Sequence, residues 1–190
     1  MLPRFLRCFT ALYFVGFLTT SAALAQGVDP DADHRIFKDV ASRVTTYTQF
    51  TIFDDVRGSV DSGVVTLTGK VTMPYKRNDI ERRIARVDGV RQVVNRIDVL
   101  PVSIFDDELR HRIARKIYSN PSFWHYAAMA NPPIHIVVDR GRVTLTGVVM
   151  SEVEKMLARS IATGSGALSV TNELRTEAEA QAELEKVARR

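Results

Sequence analysis

One nine-residue pattern occurs twice in this 190-residue chain and constrains its fold more than any other feature. Gly63-Val64-Val65-Thr66-Leu67-Thr68-Gly69-Lys70-Val71 returns as Gly141-Arg142-Val143-Thr144-Leu145-Thr146-Gly147-Val148-Val149. Each copy follows an Asp-x-Gly turn, Asp61-Ser62-Gly63 or Asp139-Arg140-Gly141. Each then leads, through a helical stretch and a glycine, to Val93-Val94-Asn95-Arg96-Ile97 or Val170-Thr171-Asn172-Glu173-Leu174. The copies lie 78 residues apart at the first motif and 77 at the second. Self-similarity at a fixed period marks tandem structural units, here residues 33–100 and 103–175. A lone unit of that size buries only ~60% of its chain surface, so the two are expected to support each other.

The hydrophobic period changes inside each unit. Ile36, Val40 and Val44 fall at helical spacing, as do Phe105, Leu109, Ile113 and Ile117, which are therefore read as core positions. Ile134, Ile136 and Val138 then recur at period two, followed by the turn and by Val143, Leu145, Gly147 and Val149. That is a hairpin whose glycine takes the positive-φ position. Thr66, Thr68, Thr144 and Thr146 fall on the opposite face, which is expected to be polar. A second helix carries Ile80, Ile84 and Val87 in the first unit. In the second, the capping box Ser151-Glu152-Val153-Glu154 opens it, with Leu157 and Ile161 facing inward. Gly89 and Gly166 stand where a helix end favours a left-handed residue. The predicted class is α+β, with two tandem αββαβ modules, each a three-stranded mixed sheet covered by two helices. Residues 119–133 are an extra stretch in the second module. The tail, residues 176–190, has only Leu184 and Val187 as large apolar residues and is read as a frayed helix or as disordered.

Residues 1–25 contain no acidic side chain. Arg4 and Arg7 precede an apolar run over residues 9–18, and Ala23-Leu24-Ala25 supplies small residues for cleavage, the layout of a secretory signal peptide. A spanning helix needs ~20 apolar residues, so no transmembrane helix is expected in the mature chain. The sole cysteine, Cys8, lies in that leader. The mature chain is therefore expected to lack disulfides, thiolate chemistry and Cys-ligated metals. At 45% hydrophobic and 25% charged, the composition is that of a globular protein. Removing Arg4 and Arg7 lowers the net charge from +4 to +2. That is too little for a nucleic-acid binder.

The Asp-x-Gly turn, the V-T-L-T-G strand and the Gly-Val…Val-x-Asn-x-Ile/Leu ending resemble the BON domain, named for bacterial osmotically inducible and nodulation proteins. The resemblance covers nearly all of residues 33–175. It departs at the thin first strand, Val56, Gly58 and Val60, and at Ala167, which stands where Val90 does in the first copy. The resemblance implies a periplasmic or outer-membrane-associated protein without catalysis, linked to envelope integrity under osmotic stress. In some members the second module contacts anionic phospholipid.

Candidate chemistry is sparse. His34, His111, His125 and His135 are scattered, with no metal-ligand spacing on one helix. There is no nucleophile-elbow motif and no Gly-rich phosphate loop. Asp61 and Asp139 have a sufficient role in their turns, and Asn95 and Asn172 in satisfying neighbouring backbone. No catalytic, cofactor or metal site is expected. The informative region spans residues 110–129, where Arg110, Arg112, Arg115 and Lys116 precede Phe123, Trp124, Tyr126 and Met129. Cations beside amphipathic aromatics suit an interfacial membrane contact. Arg110, Arg115, Lys116, Trp124 and Tyr126 are therefore the lipid-surface candidates. Phe123 is assigned to the core, and Trp124 and Tyr126 stay open between core and interface. Lys76, Arg77, Arg82, Arg83 and Arg86 are read as a solvated helix face. The expected function is non-enzymatic periplasmic binding that supports envelope integrity or osmotic-stress tolerance through anionic phospholipid. The alternative is a protein–protein adaptor or chaperone-like factor contacting envelope proteins. Oligomerisation is compatible with either.

Overall fold

The computed structural model describes residues 30–188. The expected leader, residues 1–25, lies outside the described residues. Module 1 comprises α1 (Pro30–Thr45), β1 (Asp55–Asp61), β2 (Val64–Val71), α2 (Pro74–Ile84) and β3 (Gln92–Val99). Module 2 comprises α3 (Ile104–Tyr118), a 3-10 turn (Pro121–Phe123), α4 (Trp124–Ala127), β4 (Ile134–Asp139), β5 (Arg142–Val149), α5 (Glu152–Thr163) and β6 (Ser169–Thr176). The last described element is α6 (Glu177–Ala188), so the tail is helical over those residues. The sheet orders are β1-β2-β3 and β4-β5-β6, each with an antiparallel hairpin and a parallel last strand. The fold is α+β, with two repeated mixed sheets, as the alternation of periods predicts. Val65, Leu67, Ile80 and Ile84 are fully buried in the first core, and Ile113, Ile117, Val143 and Leu145 in the second.

Both hairpin turns place two residues at positive φ, Ser62 (51°) with Gly63 (75°) and Arg140 (52°) with Gly141 (74°). That backbone twist matches the twist of the flanking strands. Each turn is clasped by a carboxylate from the first helix of its module. Asp33 accepts from the Ser62 and Gly63 N–H groups at 2.7 and 2.9 Å. Asp106 accepts from Arg140 and Gly141 at 2.8 and 2.7 Å. The helix therefore starts beside the turn, beyond the end of the sheet. This corrects the assignment of Phe105, which lies one helical turn before Leu109 and has no sheet beneath it. It is 84% exposed.

A side chain holds the second helix of each module against the last strand. Asn95 donates to the Arg77 carbonyl at 3.1 Å, and Asn172 donates to the Lys155 carbonyl at 2.9 Å. Gly69 and Gly147 are required on different grounds. At φ of 117° and 118°, a Cβ would stand 2.1 Å from the Asp55 carbonyl oxygen and 1.8 Å from that of Pro133.

The threonine-bearing sheet faces are not simply solvated, because the modules meet there. Thr146 is buried and donates to Asp55 at 3.1 Å. Lys70 pairs with Asp139, and Arg57 with Glu173. The loop between α1 and β1 adds the main contact. The Ile52 carbonyl accepts from the Ile136 N–H at 2.7 Å, and Ile52 and Phe53 pack against the core of module 2. The Phe50 and His135 ring centroids are 5.4 Å apart, and those of Phe53 and His111 are 4.8 Å apart. His135 Nδ1 donates to the Asp54 carbonyl at 2.7 Å.

Asp54 anchors that loop from behind. Its buried carboxylate accepts from the Thr51 and Thr72 N–H groups, both at 2.8 Å, and from Lys76 Nζ at 2.6 Å. Lys76 therefore does not belong to a solvated face. It points inward because a buried carboxylate is there to meet it. Arg83, on the same helix, lies over the Tyr47 ring at 4.7 Å.

Candidate functional site

The five lipid-surface candidates do not form one surface. Arg110 is buried, with Nη1 on Asp107 at 2.5 Å and Nη2 on the Val138 carbonyl at 3.3 Å. It caps an open edge of β4 from inside and does not reach a headgroup. Tyr126 is also buried. Its hydroxyl donates to Glu154 at 2.8 Å and accepts from the Met150 N–H at 2.8 Å. Burial, followed by the Glu154 carboxylate, pushes its pKa up to about 12. Arg115 and Lys116 are exposed on α3, where Lys116 also donates to the Gly164 carbonyl at 3.1 Å. Trp124 is 71% exposed, while Phe123 is fully buried beneath it.

Module 2 has two exposed apolar ends, separated by the length of β5. That strand has eight residues, roughly 26 Å at 3.3 Å each. At the hairpin end, Ile104 and Phe105 open α3, Val102 stands in the linker and Leu168 lies over the turn glycine Gly141; all four are exposed, Leu168 at 81%. Arg140 and Arg142 are exposed on the same turn. Asp139, between them and Lys70, is held below the ordinary aspartate pKa, first by its bond to Lys70 and also by the two arginines.

At the opposite end, Trp124 on α4 stands beside the start of α5, where Met150, Val153 and Met156 are all exposed. Tyr126 ties these pieces together through Met150 and Glu154. His125 Nε2 lies 3.8 Å from Glu154.

A shallow cleft on α3, lined by Asp107, Glu108, His111, Arg112 and Arg115, places its groups on one open helix face. Among the described residues no cluster of His, Cys, Asp and Glu could hold a metal ion.

The family model described as the BON domain matches the chain twice, over residues 33–101 and 106–178. The chain belongs to the BON family. No curated protein matches this BON pair in sequence. Two similar solved structures are both of CdsD, a structural protein of the Type III secretion system of Chlamydia trachomatis. Its C-terminal domain is 11% identical at a TM-score of 0.31, covering 76% of this chain and 66% of that one. A second CdsD structure is 11% identical at a TM-score of 0.28, covering 80% of this chain and 97% of that one.

Sequence reasoning missed the hairpin-end residues of this BON pair. Phe105 falls in line with the apolar stripe of Leu109, Ile113 and Ile117, and Ile104 and Leu168 belong to no motif. Their exposure follows from where Asp106 pins α3. The one legible signal was the recurrence of an aspartate three residues before the first buried stripe position, Asp33 before Ile36 and Asp106 before Leu109.

Proposed function

We propose that this BON pair is a non-catalytic periplasmic binding protein that supports envelope integrity by resting the hairpin end of module 2 on a phospholipid surface. The observation that carries the reading is the Phe105 end, where large apolar side chains project from a braced turn and helix start beside Arg140 and Arg142. Apolar groups that enter the acyl boundary, next to cations that attract headgroups, are what an interfacial contact requires. Arg115 and Lys116 lie farther along α3 and extend that attraction. Each cation near an anionic surface contributes ~1 kcal/mol, so charge and insertion have to act together.

Co-sedimentation with phosphatidylcholine vesicles, with and without phosphatidylglycerol, tests this. Binding is expected to rise with phosphatidylglycerol and fall with salt. Phe105→Asp should weaken it about tenfold, the loss of one inserted aromatic, and leave the melting temperature unchanged because the ring touches little. Wild-type binding by both Phe105→Asp and Leu168→Asp would overturn the reading.

A further inference from the structure

The other end of module 2 carries more carboxylates than cations. Trp124, Met150, Val153 and Met156 leave an indole, two thioethers and a valine in solvent, at 71%, 59%, 68% and 62% exposure. Val153 and Met156 are neighbours on the α5 surface, being three residues apart. Met150 stands one residue before the helix cap Ser151, and its backbone is bonded to Tyr126, two residues beyond Trp124. Carboxylates surround this apolar surface. Glu152 and Glu154 lie on the first turn of α5, and Glu177 and Glu179 on the first turn of α6. Glu177 is near enough to Tyr126 to help raise its pKa. Lys155, shared between Glu152 and Glu179 at 3.4 and 2.9 Å, cancels one of these four charges and leaves the group net negative.

We propose that this end is a docking site for a basic amphipathic helix of an envelope protein, its apolar face on Trp124 and the methionines and its cations on the carboxylate rim. Three arguments select that occupant. Thioethers are flexible and polarizable, so a methionine-bearing surface accommodates varied apolar side chains. The rim's charge complements lysine and arginine, and it repels an anionic headgroup layer. The surface also lies at the opposite end of β5 from the lipid-facing one, so a membrane contact through Phe105 leaves it free.

Trp124 is the only tryptophan in the chain and reports on this end alone. The protein is titrated with a synthetic amphipathic helix of leucine and lysine, and with its leucine–glutamate counterpart, while Trp124 emission is followed. The leucine–lysine helix is expected to shift the emission to the blue in a saturable manner, and the leucine–glutamate helix to leave it unmoved. Trp124→Asp, read by calorimetry, and the pair Glu152→Gln with Glu177→Gln should each weaken binding about tenfold, with Phe105→Asp binding as wild type. An emission shift equal for both peptides, or leucine–lysine binding without any shift, would overturn the proposal. So would a shift on phosphatidylglycerol vesicles in place of the peptide, which would make this end a lipid surface. Self-association abolished by Trp124→Asp would give the site to a second copy instead. Failure of vesicle binding at the Phe105 end leaves these outcomes untouched.

Discussion

Asp54 concentrates the physical chemistry of the joint in one side chain. Burial alone would push its pKa up, but the bonds from Lys76, Thr72 and Thr51 outweigh burial and hold it below the ordinary aspartate value. A carboxylate more acidic in the folded state contributes stability above its unfolded pKa. That contribution is lost as pH falls through the depressed folded value. Replacing Lys76 by Met leaves the buried carboxylate without its cation. The expected cost is about 3 kcal/mol near neutral pH, shrinking as pH falls because protonation of Asp54 removes the unpaired charge, measured by urea denaturation at a series of pH values. Unchanged stability would mean that Asp54 is solvated. In module 2 the positions 78 residues on are Met150 and Glu154 in place of Thr72 and Lys76. There a carboxylate takes the helix position and Tyr126 supplies the proton. None of this was legible in the sequence. A lysine in a run of basic residues reads as solvated, and its partner lies 22 residues upstream in a loop with no periodicity.

At the scale of the element, what the sequence conveys and what it omits have separate causes. Strand and helix types were legible because each buries one face, and burial imposes period two or 3.6 on Val143 and Leu145 or on Leu109, Ile113 and Ile117. How far an element overhangs its neighbour leaves no such trace. Asp106 sets that overhang for α3, and it places Phe105 in solvent. Removing the clasp tests this. Asp106→Ala leaves the Arg140 and Gly141 N–H groups without their acceptor, at an expected cost of about 1–3 kcal/mol. Hydrogen exchange should quicken at those two amides first. Equal protection in the variant would show that the turn holds itself. The same limit explains the lipid candidates. Composition flagged the segment around Trp124, but only α3 packing separates Arg110, turned inward onto Val138, from Arg115 on the outside.

At the scale of the molecule, the two BON modules form a joined pair. β4 is an edge strand, and an open edge invites pairing with other chains. Here the loop of module 1 closes it, through the Ile52 carbonyl on the Ile136 N–H, with Phe53 filling the space beside His111. Module 2 therefore borrows part of its core from module 1. The small size of each module makes that loan matter, since neither buries enough surface to be independently robust. The pair should melt as one cooperative unit. Truncating Ile52 and Phe53 together to Ala is expected to destabilise it by about 2–4 kcal/mol, at the low end for two apolar side chains because both are only partly buried. Exchange at the Ile136 amide should then quicken by a larger factor than at Val65 in the core of module 1, since the loss falls on the edge that the loop covers. If Ile136 stays as protected as in the wild type while stability drops, the loop contributes bulk packing only and the edge of β4 is closed by something else.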